Sequence, residues 1–381
     1  MKSASVLISV SKALRSFIFA VMALITPYYL GSLGLSALST GIIIFISVVS
    51  GSTLILLFPY VPLSTKNRIF LLSALLIGGL AILTIYRSII FFIVALLLGG
   101  ISLTGRDYSA FQPIEQFTIA HEEQEQQSRN VAFSIYNFGS YGSAAVAYVI
   151  LFLIEKLTFY DVFSVLLTLS VIHLAVFVII RFPGYSRPKH SKNFPEEIRK
   201  HVLTLSGLFA IDSFGGGFVS VSMLALWFKV VYSVSLYEAG LIFTIVNVVT
   251  GISVLISSRI SNSIGLIKTM VFTHLISNVF LILMPIIPNL YAAQLFLYLR
   301  QTTSQIDVPA RDSFTNTIIP ADYRVHTNSV FSTVRMVGQI PGPAIGGYLV
   351  GTAPSSLLFA AGGIKIAYDL FLYLKYRWFK T

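Results

Sequence analysis

Phe17-Ile18-Phe19-Ala20-Val21-Met22-Ala23-Leu24-Ile25-Thr26-Pro27-Tyr28-Tyr29-Leu30-Gly31 is the stretch whose reading decides what kind of chain this is. It forms the heart of an apolar run over 8–31. At about 1.5 Å of rise per residue, a run of this length matches the roughly 30 Å hydrocarbon core of a bilayer. Eleven more such runs lie downstream, over 37–58, 69–86, 89–108, 129–154, 159–181, 203–228, 236–257, 267–287, 290–308, 326–349 and 355–376. Only 11% of the residues are charged, too few to build a water-soluble surface over 381 residues. The expectation is an all-α membrane protein of twelve transmembrane helices, with loops too short for a soluble catalytic domain.

The punctuation between runs fits this reading. Leu33-Gly34-Leu35-Ser36, Pro288-Asn289-Leu290-Tyr291 and Thr352-Ala353-Pro354-Ser355 carry the residues that end and restart helices for backbone reasons. Lys2, Lys12 and Arg15 at and just inside the start of the first run loosely resemble a signal peptide, but the run reaches Gly31 with no small-residue cleavage site, so it reads as a retained span. There is no cysteine, which removes disulfides and thiolate metal sites. Phosphate loops of the G-x-x-x-x-G-K-[ST] type, H-E-x-x-H and C-x-x-C are also missing, so no enzyme constellation, cofactor or metal is expected.

The net charge of +11 would suit nucleic acid in a soluble protein. Here it is explained by the accumulation of Lys and Arg in cytoplasmic loops, and no nucleic-acid partner is expected. With the N-terminus inside, eighteen of the 26 Lys and Arg, Lys12 and Arg311 among them, fall on the cytoplasmic side, and only Arg87, Lys156 and Lys229 fall outside. The asymmetry predicts a multi-pass protein of the cell membrane with both termini cytoplasmic. The longest basic stretch, Arg181 to Lys200, holds Pro183, Gly184, Pro188 and Pro195 and reads as a linker. The predicted organisation is therefore a six-helix bundle over 1–182, a cytoplasmic linker over 183–201, and a second bundle over 202–381.

The two halves echo each other. Phe111-Gln112-Pro113-Ile114-Glu115 lies after span four and Asp307-Val308-Pro309-Ala310-Arg311 after span ten, an offset of 196 residues. Phe133-Ser134-Ile135-Tyr136-Asn137 and Phe331-Ser332-Thr333-Val334-Arg335 match at 198, and Arg129 and Arg324 at 195. Agreement near half the chain length, at equivalent span positions, indicates a duplicated bundle.

On these features, and on Gly338-Gln339-Ile340-Pro341-Gly342-Pro343-Ala344-Ile345-Gly346-Gly347, the chain resembles the major facilitator superfamily over nearly its whole length. The last run satisfies a G-x-x-x-G-P-x-x-G-G pattern that family antiporters carry on helix five; here it falls on helix eleven and supports membership more than antiport. Asp307-Val308-Pro309-Ala310-Arg311 and Lys365-Ile366-Ala367-Tyr368-Asp369 also resemble elements shared by many bacterial and archaeal members of unassigned substrate. The family's loop 2–3 signature, G-x-x-x-D-R-x-G-R-R, is reduced to Lys66 and Arg68. Its loop 8–9 copy keeps Arg259, Gly265 and Lys268 but has Asn262 where an acid is usual.

The resemblance implies that helices one, four, seven and ten line a central cavity. The sequence independently puts charges on those four: Arg15, Arg106 and Asp107, Asp212, and Arg300. An ionisable group inside a span costs at least a few kcal/mol unless it meets a partner, water or cargo. Counting from span ends places Asp212 and Arg300 near the midplane, and the expectation is that they approach each other across the cavity or through a substrate. Asp212 is the first candidate for proton coupling; a structural ion pair is the other reading. Gln301 and Asp307 complete the candidate substrate and proton-coupling set.

Gly338, Pro341, Gly342 and Pro343 are candidate gating positions, because two prolines remove two backbone donors and should kink helix eleven. Arg335 is a candidate for a gate or an anionic ligand. Gly215-Gly216-Gly217 either bends helix seven or packs it closely against a neighbour. His173 and His274 are expected in structural hydrogen bonds, and Lys365 with Asp369 in a local i, i+4 pair.

The leading functional expectation is a monomeric secondary active transporter of a small-molecule substrate, opening to each face of the bilayer in turn by alternating access, with proton-coupled export ahead. Uptake of an organic anion or other metabolite, and a non-transporting membrane receptor or scaffold, are the alternatives.

Overall fold

The structure, a computed structural model, describes residues 2–105, 107, 109–153, 158–184 and 194–379. Arg106 and nine residues of the expected linker, 185–193, lie outside the described residues. Helices account for the architecture, and no strand occurs among the described residues.

Seventeen α-helical segments among the described residues combine into twelve passes. α1 (Ser3–Ser32), α2 (Ala37–Leu57) and α3 (Thr65–Ile85) are the first three. The fourth is α4 (Ile89–Gly99) continued by α5 (Gln112–Glu122), and α6 (Gln126–Leu153) and α7 (Phe159–Ile179) come next. The seventh is α8 (Glu196–Gly217) with α9 (Val221–Tyr232), and the eighth is α10 (Leu236–Ile264). α11 (Leu266–Lys268) enters α12 (His274–Leu283) through a π-helical turn, Thr269–Thr273. The tenth is α13 (Leu290–Thr303) with α14 (Asp307–Ile318), the eleventh α15 (Ala321–Gln339) with α16 (Gly342–Thr352), and the last α17 (Pro354–Tyr376). Nine helical runs among the described residues, the joined α8–α9 and α11–α12 passes included, are long and apolar enough to cross a bilayer; the fourth, tenth and eleventh passes are each built from two shorter helices. The all-α, twelve-span expectation holds.

Helix starts depend on local chemistry. Ser36 and Ser64 accept the backbone N–H three residues on, and Asn289 accepts those of Tyr291 and Ala292. Thr158 and Asp161 form a reciprocal capping box at the start of α7.

The chain divides into two compact units. The first comprises Met1–Pro188, Ser220–Lys229 and Ser233–Thr244; the second comprises Lys189–Val219, Val230–Tyr232 and Ile245–Thr381.

In the first unit, the fourth pass departs from the expected continuous helix over 89–108. α4 stops at Gly99, Gly100 turns left-handed (φ 57°), and the chain becomes helical again only at Gln112. Non-helical backbone at membrane depth survives only where protein satisfies its polar groups. Ser47 of α2 does so, donating to the Ile101 carbonyl (2.6 Å) and accepting from the Leu103 N–H (3.1 Å). Ser222 donates to the carbonyls of Ala23 (2.6 Å) and Leu103 (2.5 Å), and the Val221 N–H donates to the Thr104 carbonyl (3.2 Å).

In the second unit, the tenth pass breaks after Thr303 and resumes at Asp307, and Ser257 of α10 donates to the Ile306 carbonyl (2.6 Å). The same device, a serine from the second pass of each half, supports the break in the fourth. These breaks correct the sequence-based boundaries: Glu115 and Arg311 belong to resumed helices, and both are buried. Arg311 and Lys12, both expected among the cytoplasmic loop cations, are interior groups.

The eleventh pass is interrupted at Ile340–Pro341, where the missing proline donors interrupt the helical ladder. Its glycines serve close approach. A Cβ on Gly342 would lie 2.6 Å from Gly217 Cα, and one on Gly338 would lie 2.8 Å from the Ala210 carbonyl oxygen. Of the two readings of Gly215-Gly216-Gly217, close packing therefore holds at Gly217, and at Gly215, whose Cβ would meet Lys365 Cγ at 2.9 Å.

Candidate functional site

Each unit encloses a cluster of ionisable side chains, and the two clusters use equivalent chain positions. In the first unit, Lys12 and Arg15 sit three residues apart on one face of α1. Arg15 is completely buried. Its guanidinium donates to both Glu115 oxygens (2.8 and 2.7 Å) and, through Nε, to Asp107 Oδ2 (2.9 Å). The Phe111 ring covers one face of the guanidinium, 4.6 Å from ring centroid to Cζ. Lys12 Nζ pairs with the same Asp107 oxygen at 2.9 Å, and the Tyr136 hydroxyl donates to Glu115 at 2.8 Å. Two cations and two carboxylates thus balance within hydrogen-bond distance. A bidentate guanidinium–carboxylate pair is the geometry that best offsets desolvation at such depth.

His173 of α7 stands 3.2 Å from Arg15 Nη1. Guanidinium nitrogens only donate, so His173 Nε2 accepts and the ring proton sits on Nδ1. Nδ1 has no hydrogen-bond partner among the described residues.

The second unit has a richer cluster. Asp212 of α8 receives Lys365 Nζ of α17 at 2.6 Å, with His274 Nε2 of α12 at 3.6 Å and Arg311 Nη1 of α14 at 3.8 Å. His274 turns its other nitrogen, Nδ1, to Asp369 at 2.8 Å, and Asn278, one turn on, donates to Asp369 at 3.0 Å. The imidazole therefore bridges two carboxylates on different helices. Its placement comes from the π-helical turn ending at Thr273, which inserts an extra residue and changes the face on which α12 presents His274. Arg311 completes the cluster through Asp307, one turn earlier, at 3.3 Å.

Arg15, Asp107, Asp212, Arg300, Gln301 and Asp307 are all buried in protein, as charges inside spans must be. The expected grouping changes, however. Asp212 is held by Lys365, His274 and Arg311, while Arg300 donates to Gln301 (2.6 Å), which in turn donates to Thr250 (3.0 Å). The break after Thr303 bears on Arg311 alone, which the resumed helix, Asp307–Ile318, carries into the interior. The expected Lys365–Asp369 pair is also corrected: these side chains engage Asp212 and His274 on two other helices. His274 and His173 are hydrogen-bonded as expected, and their partners belong to the two charged clusters.

Sequence reading missed Lys12, Glu115, Arg311, His274 and Lys365 as site members. One signal was available in the internal repeat. Arg15 and Asp212 are 197 residues apart, Glu115 and Arg311 196, and His173 and Asp369 196. The contact of Arg15 with Glu115 is repeated by Asp212 with Arg311, with the charges exchanged.

Comparison with known proteins bears on what such clusters serve. The sequence profile described as Major Facilitator Superfamily matches residues 8–343. An uncharacterized membrane protein of Saccharomyces cerevisiae, YJR124C, is 26% identical over 187 residues, covering 48% of this chain and 42% of that protein. An uncharacterized MFS-type transporter of Bacillus subtilis, YceJ, is 25% identical over 134 residues, covering 35% and 34%. The matched stretches thus span less than half of either relative's length. Among solved structures, the POT family transporter PepTSo superposes with a TM-score of 0.79 at 12% identity, covering 99% of this chain and 98% of that one; at this identity the likeness concerns the fold.

Proposed function

The chain belongs to the Major Facilitator Superfamily, a family of transporters rather than enzymes, and from that premise we propose that it exports a small solute by alternating access, driven by protons. In this reading 1–182 and 202–381 act as two bundles joined by the 183–201 linker, and the protein works as a monomer in the cell membrane with both termini cytoplasmic.

The observation that carries the coupling is His274 standing between Asp212 and Asp369, with Lys365 and Arg311 alongside. A buried imidazole between two carboxylates can pass a proton from one side to the other by changing which nitrogen is protonated. The competing cations give the site two stable arrangements. With Asp212 ionised, Lys365 is held; with Asp212 protonated, Lys365 loses its counter-ion, and conformations that offer it another become favoured. Coupling then requires only that solute and proton favour different arrangements. The interruption at Ile340–Pro341 beside Gly338, Gly342 and Pro343 is the proposed gating hinge of the same unit.

The test starts from a thermal-shift screen of solutes against the purified protein, since binding raises the unfolding temperature by mass action. Hits are then taken into proteoliposomes under an imposed pH gradient. Gradient-driven flux should be lost in Asp212→Asn and His274→Gln, while counterflow exchange of the same solute persists. Flux that ignores the gradient in the wild type removes proton coupling. A protein that binds hits yet moves none of them is a receptor.

A further inference from the structure

In the second unit, each acid of the buried cluster is already engaged. Asp307 meets Arg311, Asp212 meets Lys365, and Asp369 meets His274 and Asn278. One cation beside them is left over. Arg335 of α15 makes no ion pair or hydrogen bond with any described residue, and its Nε is fully shielded. Its guanidinium lies on the Phe209 ring, 4.3 Å from the centroid, and that of Arg311 lies 5.8 Å from the same centroid. Two guanidiniums thus share one aromatic platform, although like charges repel. Arg311 is itself short of an acceptor, because its buried Nε has no partner among the described residues.

The Tyr368 hydroxyl, buried on α17 in the same core cluster as Phe209, also lacks an acceptor among the described residues. No carboxylate among the described residues comes within ion-pair distance of Arg335. Three buried donor atoms from three helices, Nε of Arg311, Nε of Arg335 and the Tyr368 hydroxyl, thus lack an acceptor among the described residues, and both guanidiniums lie on the Phe209 ring. Leaving buried donors unmade costs about 1–3 kcal/mol each, and more for charged ones. Side chains of this kind persist in membrane proteins where cargo uses them.

We propose that Arg311, Arg335 and Tyr368, on the Phe209 platform, form a binding site for the oxyanion of a small organic anion, a carboxylate first among them. A planar carboxylate suits the fork of Arg335, with the Tyr368 hydroxyl and Arg311 Nε as supporting donors. The remaining body of the solute would extend from this anchor. The inference rests on reading the chain as a solute carrier, and it names the class of solute.

The test is equilibrium binding, which needs no gradient. The full chain in lipid nanodiscs is melted with acetate, benzoate, succinate, citrate or inorganic phosphate at constant ionic strength, each carboxylate compared with its neutral amide. At least one carboxylate should raise the melting temperature saturably where its amide does not. Arg335→Gln and Tyr368→Phe should weaken that binding about tenfold or more, the loss expected for one charge-assisted hydrogen bond. Arg335→Lys should keep part of it. Without ligand, Arg335→Gln should melt at or above the wild type, since it removes an unpaired charge, so a loss of binding cannot be ascribed to misfolding. No saturable shift with any anion overturns the proposal, as does equal affinity in wild type and Arg335→Gln. Saturation by phosphate alone assigns the site to phosphate and overturns the carboxylate preference. Proton-driven flux of a neutral or cationic solute without anion binding defeats this inference alone. Anion binding without flux of any kind defeats the transporter reading alone.

Discussion

Arg15 holds Glu115 through two parallel hydrogen bonds of 2.8 and 2.7 Å, joining α1 to the resumed half of the fourth pass. The equivalent positions in the second half, Asp212 and Arg311, carry the opposite charges and again face each other, at 3.8 Å. The two contacts join equivalent positions with exchanged signs but differ in closeness. The tight first copy behaves as a clamp. The looser second copy shares Asp212 with Lys365 and His274, which leaves it free to rearrange.

The clamp should be a stability element. Arg15→Met removes the counter-charge of two buried carboxylates, and breaking a buried pair in this way costs about 3–5 kcal/mol. The double variant Arg15→Met/Glu115→Met should be less destabilised than the sum of its singles, because Lys12 still neutralises Asp107. Thermal unfolding of the four proteins in one detergent checks this; additive losses would contradict the clamp.

Lys365 and Asp212 should be strongly non-additive. Lys365→Ala strands Asp212 beside weaker partners, whereas Asp212→Asn/Lys365→Ala removes the unmatched charge. A coupling energy of about 0.5–3 kcal/mol is expected from the double-mutant cycle. Additivity within error would mean that the 2.6 Å contact carries no energetic weight.

Close packing in the second unit should be sensitive at one glycine and indifferent at another. A methyl group at Gly342 would stand 2.6 Å from the Gly217 backbone, so Gly342→Ala should cost about 1–3 kcal/mol. At Gly363, inside α17, a Cβ would meet nothing within 4 Å, and Gly363→Ala should be neutral or stabilising by up to about 1 kcal/mol. Equal melting temperatures for the two variants would refute the assignment.

One acid outside the spans gives a pH signature. The Ser128 hydroxyl, and after it the Lys2 backbone N–H at 2.8 Å, hold the Glu123 carboxyl down to about 2. A free glutamate titrates near 4.3. The folded value is the lower one, so this group's contribution to stability is present above about 4.3 and fades as pH falls toward about 2. Limited proteolysis of the segment around Lys2 and Glu123 should accelerate over that window in the wild type, and a Glu123→Gln variant should not show the same dependence.

Legibility in the sequence obeyed a physical rule. Arg15, Asp107 and Asp212 stand out because each interrupts an apolar run, and a charge in such a run must be met by something. Glu115, Lys12 and Arg311 did not stand out, because they lie near run ends, where the same charge is unremarkable in solvent. The burial of Glu115 and Arg311 depends on the breaks after Gly99 and Thr303, which move the helical register and depend on Ser47 and Ser257 reaching over from other helices. His274 was visible as a residue but not as a bridge, since the π-helical turn that places it leaves no hydropathy signal.

Hydropathy was enough by itself to establish an all-α membrane fold of twelve passes, because bilayer thickness and backbone hydrogen bonding leave a long apolar chain few other solutions. Which acid faces which base was decided only in three dimensions. Lys365 is four residues from Asp369 yet binds Asp212, 153 residues away, because the helices bring donors and acceptors together by packing and not by spacing along the chain.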